Sequence, residues 1–600
     1  MAAPDTLPSS MFAESIPAAD YASLHDSIAP INRVFPPEIL SEALSYCWED
    51  MRSVRLTHVC RYWRAVALKT PRLWADAVAA PGNQLTFNKA RVAAQFQDLE
   101  NNRISFAVAA LERSSPSPLR LKIHFLPDAL SHTFMSHTAR LVDLYVRLDS
   151  AKQLGSLCRI LANGVPNLTV LGIAFIGTTG LYHDWLAPGV GSYQHDIENP
   201  YDQETLSQEL TAWGSSVRGT IADTPRLHTL RCLPIDLLPH FACRTLRDIC
   251  ITPAVFKRCH LEGFVDALRR CPDLVQIHLC MINPVLIPQD DTSGWVSQSV
   301  DLPSLRTLVL NVDTEVVLER FLDFFSLEHT VTLNIVQRTS SIARTFEHLR
   351  SRHKALIQAQ VRTATALRIR DYYDQWKNPK TDVATLADGA DRVRYTLYAA
   401  DNDGPPSLEA FDLIALFRPN GALLTHLVLH KIRDIPPAAD AFRAFPRLAS
   451  LDLAGPRTTV FLKALRHRPD DEVDCDDLVC PRLKTLAVSF GLGPGDDQPL
   501  ARKACTALRA RQTGWEATAL RANAPRVAAL AKTLKHRAAR GLRLERLEWR
   551  HREWDASLGL GFPPGAVVGK YEPDPALYDQ AELERLVDGP VVFGGFTYRK

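Results

Sequence analysis

The stretch Pro303-Ser304-Leu305-Arg306-Thr307-Leu308-Val309-Leu310 decides the fold. Leu308 and Leu310 alternate with Thr307 and Val309, the period of a strand that turns one face to a core. Pro303 holds its φ at about −65° and has no N–H to donate, so it stiffens the turn that leads into the strand. The same phrase is written at Pro166-Asn-Leu168-Thr-Val-Leu171-Gly-Ile173 and Pro225-Arg-Leu227-His-Thr-Leu230. It returns at Pro272–Leu279, Pro446–Leu453 and Pro481–Val488. Copies without the proline sit at Ala139–Val146, Thr245–Ile251, Ala422–Leu429 and Leu542–Trp549.

Neighbouring copies are 27 residues apart from Leu141 to Leu168, 28 from Leu246 to Leu274 and 31 from Leu274 to Leu305. Between them run helical patterns such as LEGFVDALRRC (261–271), EVVLERFLDFF (315–325) and FLKALRHR (461–468). One strand and one helix per unit, each unit burying its face on the next, predicts an α/β solenoid. The periods lie in or just above the leucine-rich-repeat range, and the array resembles such repeats. The asparagine of regular repeats is mostly missing and the units around 335–420 are hard to place, so the array is expected to be irregular. It is expected to occupy residues 79–560, starting with the helix, turn and strand of ISFAVAALERSSPSPLRLKIHF (104–125) and carrying an insertion near 177–205. Residues 561–600 read as a cap or tail whose ending, VVFGGFTYRK, could add a strand.

Ahead of the array, residues 1–30 are rich in Ala, Ser, Pro and Asp without a sustained period, and are expected to be disordered. From 31 to 78 three short amphipathic helices are predicted. Pro36-Pro37-Glu38 is a start signal, because proline fits a first helical turn and an acid there suits the helix dipole. Leu40, Ala43, Leu44 and Cys47 then give one apolar face, Leu56, Val59, Cys60, Trp63 and Val66 a second, and Leu73, Trp74, Ala77 and Val78 a third. A core this small is marginal alone and is expected to complete its burial against a partner or a neighbouring domain.

The blocks VFPPEIL (34–40), RLTHVCRYWRAVAL (55–68) and PRLW (71–74) resemble, in order and spacing, the F-box of large fungal protein families. Phe35 stands where that pattern usually has leucine. The resemblance implies docking on the adaptor subunit of an SCF ubiquitin ligase, and through it on a cullin. Carried over by position, the adaptor-facing residues would be Phe35, Pro36, Ile39, Leu40, Val59, Cys60 and Trp63, with Trp74 buttressing the third helix.

Composition narrows the function. With 46% hydrophobic and 23% charged residues the chain reads as an ordinary globular protein rather than a disordered one. Lys plus Arg is 69 and Asp plus Glu 67, a formal charge of +2, which favours neither nucleic acid nor a membrane surface. No run is long and apolar enough for a membrane helix, and no basic region precedes an apolar core at the N-terminus. The 12 cysteines are too sparse for a disulfide scaffold, so reduced thiols and a cytoplasmic or nuclear location are expected.

Catalytic constellations are weak. In GLGPG (491–495) the third glycine of a dinucleotide loop falls on Asp496, where an acid would repel a pyrophosphate. Cys232, Cys243, Cys250, Cys259, Cys271 and Cys280 match no zinc spacing and read as small buried groups. His183-Asp184 and His195-Asp196 in the insertion offer at most a loop pair. The acidic run DDEVDCDD (470–477) reads as a solvated loop, and residues 501–552, with 14 Lys or Arg against 3 Glu, as a basic helix surface, solvated or attractive to acidic partners. No catalytic, cofactor-binding or metal-binding residue is expected. The expected function is a substrate receptor whose solenoid binds a target protein; the alternative is an F-box scaffold that regulates a partner outside the ligase.

Overall fold

The computed structural model describes residues 35–48, 51–79, 97–123, 128–148, 151–175, 224–232, 238–251, 258–282, 299–312, 314–327, 331–338, 351–373, 379–387, 390–398, 423–430, 445–455, 457–466, 479–490, 515–551 and 580–594, with a few isolated positions such as Leu126, Leu349 and Phe442. The tail at 1–30, the insertion with its His-Asp pairs, the run at 470–477 and GLGPG lie outside them. The chain forms two compact units, one of Met1–Pro253 with Cys259–Asp273, the other of Ala254–Arg258 with Leu274–Lys600.

Both units are α/β and built on parallel strands. In the first, helices α1 (Pro37–Leu44), α2 (Arg61–Leu68), α3 (Pro71–Ala79) and α4 (Gln97–Arg113) precede strand β1 (Leu119–Ile123). Then follow α5 (Asp128–Met135), β2 (Leu141–Leu148), α6 (Ala151–Ala162), β3 (Val170–Phe175), β4 (Thr229–Cys232), α7 (Leu238–Phe241), β5 (Asp248–Ile251) and α8 (Arg258–Arg269). Strands β1 to β5 pair in chain order, all parallel. Helix α3 packs on α4 and β1, and the N-terminal helices fall in the same unit as the first strands.

The second unit carries β6 (Gln276–Ile282), β7 (Val300–Asp301), β8 (Thr307–Val312), α9 (Glu315–Asp323), β9 (Phe325–Ser326), β10 (Thr332–Arg338) and α10 (Ser351–Arg362). It continues with β11 (Ala366–Tyr373), β12 (Pro379–Ala387), β13 (Ala390–Tyr398), β14 (His426–His430), β15 (Ser450–Ala454) and α11 (Thr458–Ala464). It ends with β16 (Thr485–Phe490), α12 (Trp515–Ala538), β17 (Arg546–His551), α13 (Gln580–Arg585) and β18 (Val591–Gly594). The order β6-β8-β10 is parallel, as is β14-β15-β16-β17-β18, so VVFGGFTYRK does add a strand. The hard region around 335–420 holds the exception. There β12 runs antiparallel between β13 and β11, β13 pairs with β10, and β11 pairs with β14.

Each copy that carries the proline is a turn followed by one of these strands. The leucine two after the proline donates its N–H back to the residue before the proline, at 3.1 Å for Leu168 to Val165, 3.0 Å for Leu305 to Leu302 and 3.1 Å for Leu483 to Cys480. Proline therefore sits at the second turn position, where its fixed φ is already correct. The residue after that leucine bonds to the previous rung: Thr169 N–H to Val142 O, Lys484 N–H to Ala449 O and Glu545 N–H to Lys484 O, each at 2.8 Å.

This register stacks the leucines. Leu144, Leu171, Leu230 and Ile249 align in the first unit, and Leu427, Leu451, Leu486 and Leu547 in the second, all buried. Burying each is worth roughly 1.5–3 kcal/mol. The helices supply the other half of the core, for example Leu154, Leu157 and Leu161 of α6 and Val317, Leu318 and Phe321 of α9.

Candidate docking face

The N-terminal helices have a filled interior. Leu40, Leu44, Val66, Ala67 and Leu73 form one buried cluster, with Trp48, Leu56, Tyr62 and Trp63 half-buried around it. Ser41 and Thr70 bond across it at 2.9 Å. Trp74 is buried, donates Nε1–H to Ala67 O at 2.8 Å, and lies with its ring 6.2 Å from Phe106 of α4, as a buttress should. Arg113 sits over that indole, 5.0 Å from the ring centre.

Leu40 does not face outward. It is 4% exposed, because burial in α1 follows Leu40 and Leu44 at four-residue spacing, a row that half-buried Trp48 continues beyond the helix. Ala43 and Cys47, expected on the inner face, are exposed instead. Trp74 likewise lies inside, 3% exposed.

Four of the expected residues do face solvent. Phe35 is 40% exposed, Ile39 53% and Val59 55%, and Pro36 is also exposed. Phe35 and its neighbour Pro36, the cap, lead into α1 and Ile39 lies in its first turn, where Leu40 N–H reaches Pro36 O at 3.1 Å. Tyr62 of α2 donates its hydroxyl to Phe35 O at 2.9 Å, which ties that turn to the helix that starts just after Val59. Cys60 is half-buried and spends its thiol as the cap of α2, accepting from Trp63 N–H at 3.4 Å. Trp63 is half-buried against the core cluster.

Two exposed apolar side chains were missed by the apolar periods. Tyr46 is 65% exposed with Arg72 stacked 4.4 Å from its ring centre, and Leu68 is 37% exposed at the end of α2. Tyr46 falls between Leu44 and Cys47, off the four-residue row, so periodicity alone could not mark it. Asp76, half-buried in α3, has its carboxyl pushed up by desolvation, partly offset by Arg72.

The strand faces opposite the leucines are polar. In the first unit β2 turns out Asp143, Tyr145 and Arg147, with Arg120 3.4 Å from Asp143. The Tyr145 ring lies over Gly172 of the next strand so closely that any Cβ there would collide with it. In the second unit His430 and Asp452 pair at 3.3 Å across β14 and β15.

The candidate sites for other chemistry contract. Cys271 is buried and its thiol is pushed up to about 12 by burial, while Cys243 and Cys250 are half-buried; none of the three is in a disulfide. No group of side chains able to hold a metal is found among the described residues. No helix among them is long and apolar enough to cross a membrane. The basic run is not simply solvated, since Arg526 and Arg537 of α12 are buried. Arg537 donates to Val479 O and Leu483 O at 3.3 Å and to Cys480 O at 3.2 Å, which explains why the helix needs a guanidinium there. Compared with known proteins, the chain matches no family model and no curated protein.

Proposed function

We propose that this chain is the non-catalytic substrate-recognition subunit of a cullin-based SCF ubiquitin ligase. In this reading the N-terminal helices are an F-box that docks on the adaptor. The rungs form an irregular leucine-rich-repeat-like solenoid that holds a target protein. Tethering then raises the effective concentration of target lysines around the ubiquitin thioester, and no residue of this chain performs covalent chemistry.

The observation that carries the reading is the exposure of Phe35, Ile39 and Val59 beside a core that is already filled by Leu40, Leu44 and Val66. Large apolar side chains left in water by short helices mark a surface that another protein covers. The larger Phe35 in place of the usual leucine keeps that surface apolar.

The test is co-expression of the full chain with the adaptor, followed by size exclusion. A one-to-one complex is expected, and the double substitution Phe35→Asp with Ile39→Asp should abolish it while the chain stays folded. A folded wild-type chain that elutes alone would sink the docking reading. An adaptor complex that fails to recruit the cullin would move the function to a scaffold outside the ligase.

A further inference from the structure

In three successive rungs of the second unit the residue just ahead of a buried turn leucine is arginine: Arg447 before Leu448, Arg482 before Leu483 and Arg543 before Leu544. The rung hydrogen bonds from Lys484 to Ala449 and from Glu545 to Lys484 hold these positions in line, at the inter-strand spacing of about 4.8 Å. Side chains at this turn position do reach their neighbours: in the first unit the equivalent Arg226 donates to Asn167 Oδ1 at 2.9 Å. There the row is mixed, with Asn167, Arg226 and Thr245 in successive turns. In the second unit Ser304 and Leu423 hold this position in earlier rungs, and the cationic run is confined to the three rungs of Arg447, Arg482 and Arg543.

The end of α12 strengthens the field. Buried Arg537 lies against the turn that carries Arg482, held by three carbonyl oxygens, and among the described residues no carboxylate faces it. Its charge is solvated there but not cancelled. Burial, together with Arg540, Arg466 and Arg537, pushes the neighbouring His536 toward its neutral form. The acids nearby are already engaged: Asp588 lies 3.4 Å from Arg543, Glu545 2.7 Å from Lys484 and Glu582 2.6 Å from Lys535. Among the described residues Arg447, Arg482 and Arg540 form no ion pair, and Arg447 and Arg482 are exposed.

We propose that this arginine row binds an acidic, extended segment of another protein, through carboxylates or phosphates presented along its length. Guanidinium forks suit both groups because each can be held by two parallel N–H bonds. A nucleic-acid ligand fits less well. Single strands are gripped largely by base stacking, and Trp549, the aromatic of the adjoining strand, is buried.

Fluorescence anisotropy with the full chain tests this, using a fluorescein-labelled peptide of alternating glutamate and serine and its phosphoserine form. The assay contains no adaptor, so its outcome is separate from the docking reading. Binding that weakens as salt rises is expected, and Arg447→Glu with Arg482→Glu should weaken it about tenfold or more. Arg447→Gln with Arg482→Gln should give an intermediate loss, and Arg226→Glu in the first unit no loss. Unchanged affinity in a folded double variant would overturn the proposal. So would tighter binding of a single-stranded oligonucleotide than of the peptides, which would give the row to nucleic acid. Peptide binding that arises only once the acids of 470–477 are neutralised would give it to this chain's own segment.

Discussion

In the strand rungs, each leucine or isoleucine of the proline phrases that precedes or faces the core is buried, from Leu168, Leu171 and Ile173 in the first unit to Leu448, Leu451 and Leu453 in the second. In the N-terminal helices the apolar residues divide: Leu40 and Leu44 are inside while Phe35, Ile39 and Val59 are outside. A pleated strand has one inner face and a period of two, so packing uses all of its alternate apolar positions. An eight-residue helix on a small core has room inside for one row only. The apolar side chains beyond that row stay largely in water.

Leu40→Asp tests the inner half of that contrast most severely. It would set an unpaired carboxylate among Leu44, Val66 and Leu73, at a cost above about 4 kcal/mol. The expected outcome is loss of the N-terminal helices rather than loss of a contact. Tryptophan fluorescence in a urea titration should show an early transition from Trp48, Trp63 and Trp74, with the second unit unfolding as before. A wild-type titration would mean that Leu40 is not part of the core.

Arg537→Ala asks whether the rungs also depend on a polar element. Three turn carbonyls would lose charge-assisted donors inside the protein, for a loss of roughly 3 kcal/mol. The urea midpoint should fall, and Arg537→Lys should restore only part of it, because an ammonium cannot span three oxygens with the same planar fork. If Arg537→Ala leaves the midpoint unchanged, the turn is held by Pro481 and its own hydrogen bond alone.

These contrasts explain what the sequence could tell. The rungs were legible because two local signals agree in six of the copies, a proline that presets a turn and leucines at a strand period, and the leucine period alone marks the others. Strands β11 to β13 were not, because an antiparallel strand inserted between parallel ones needs neither the proline nor the phrase. The N-terminal helices were legible as helices, although the second apolar period runs across two elements, a 3-10 helix at Met51–His58 and α2, with the break at the cap Cys60. Which of Ile39 and Leu40 faces inward was not, since neighbouring residues on a short helix are both compatible with an apolar stripe. The role of Arg537 was hidden for another reason: in a run of basic residues nothing local distinguishes the one that reaches carbonyls across the fold.

A smaller effect is expected from acid. Buried His353 bonds Asp323 Oδ1 through Nε2 at 2.7 Å, and Arg352 bonds the same oxygen. Desolvation lowers the His353 value below the ordinary 6.5, opposed by Asp323 and, more weakly, by Glu319, with Arg352 lowering it further. A depressed value means that the unfolded chain takes up the proton first. The stability His353 contributes is therefore present above about pH 6.5 and is lost as pH falls through the folded value. Denaturant midpoints between pH 7.5 and 5 should decline, and His353→Gln should flatten the part of that decline that belongs to the second unit. An identical slope in the variant would place the acid sensitivity elsewhere.

The smallest effect on stability is the most informative. Ile39→Asp changes the residue next to Leu40 but leaves the inner row untouched, so the unfolding midpoint should move by no more than about 0.5 kcal/mol. The new acid even lies in the first turn of α1, where a negative charge suits the helix dipole. If Ile39 were merely a core residue of a loosely packed hairpin, Ile39→Asp would resemble Leu40→Asp in the urea titration. A neutral midpoint together with loss of the adaptor complex would separate the two faces of α1 by experiment: one row that builds the fold, and one that the fold leaves free for a partner.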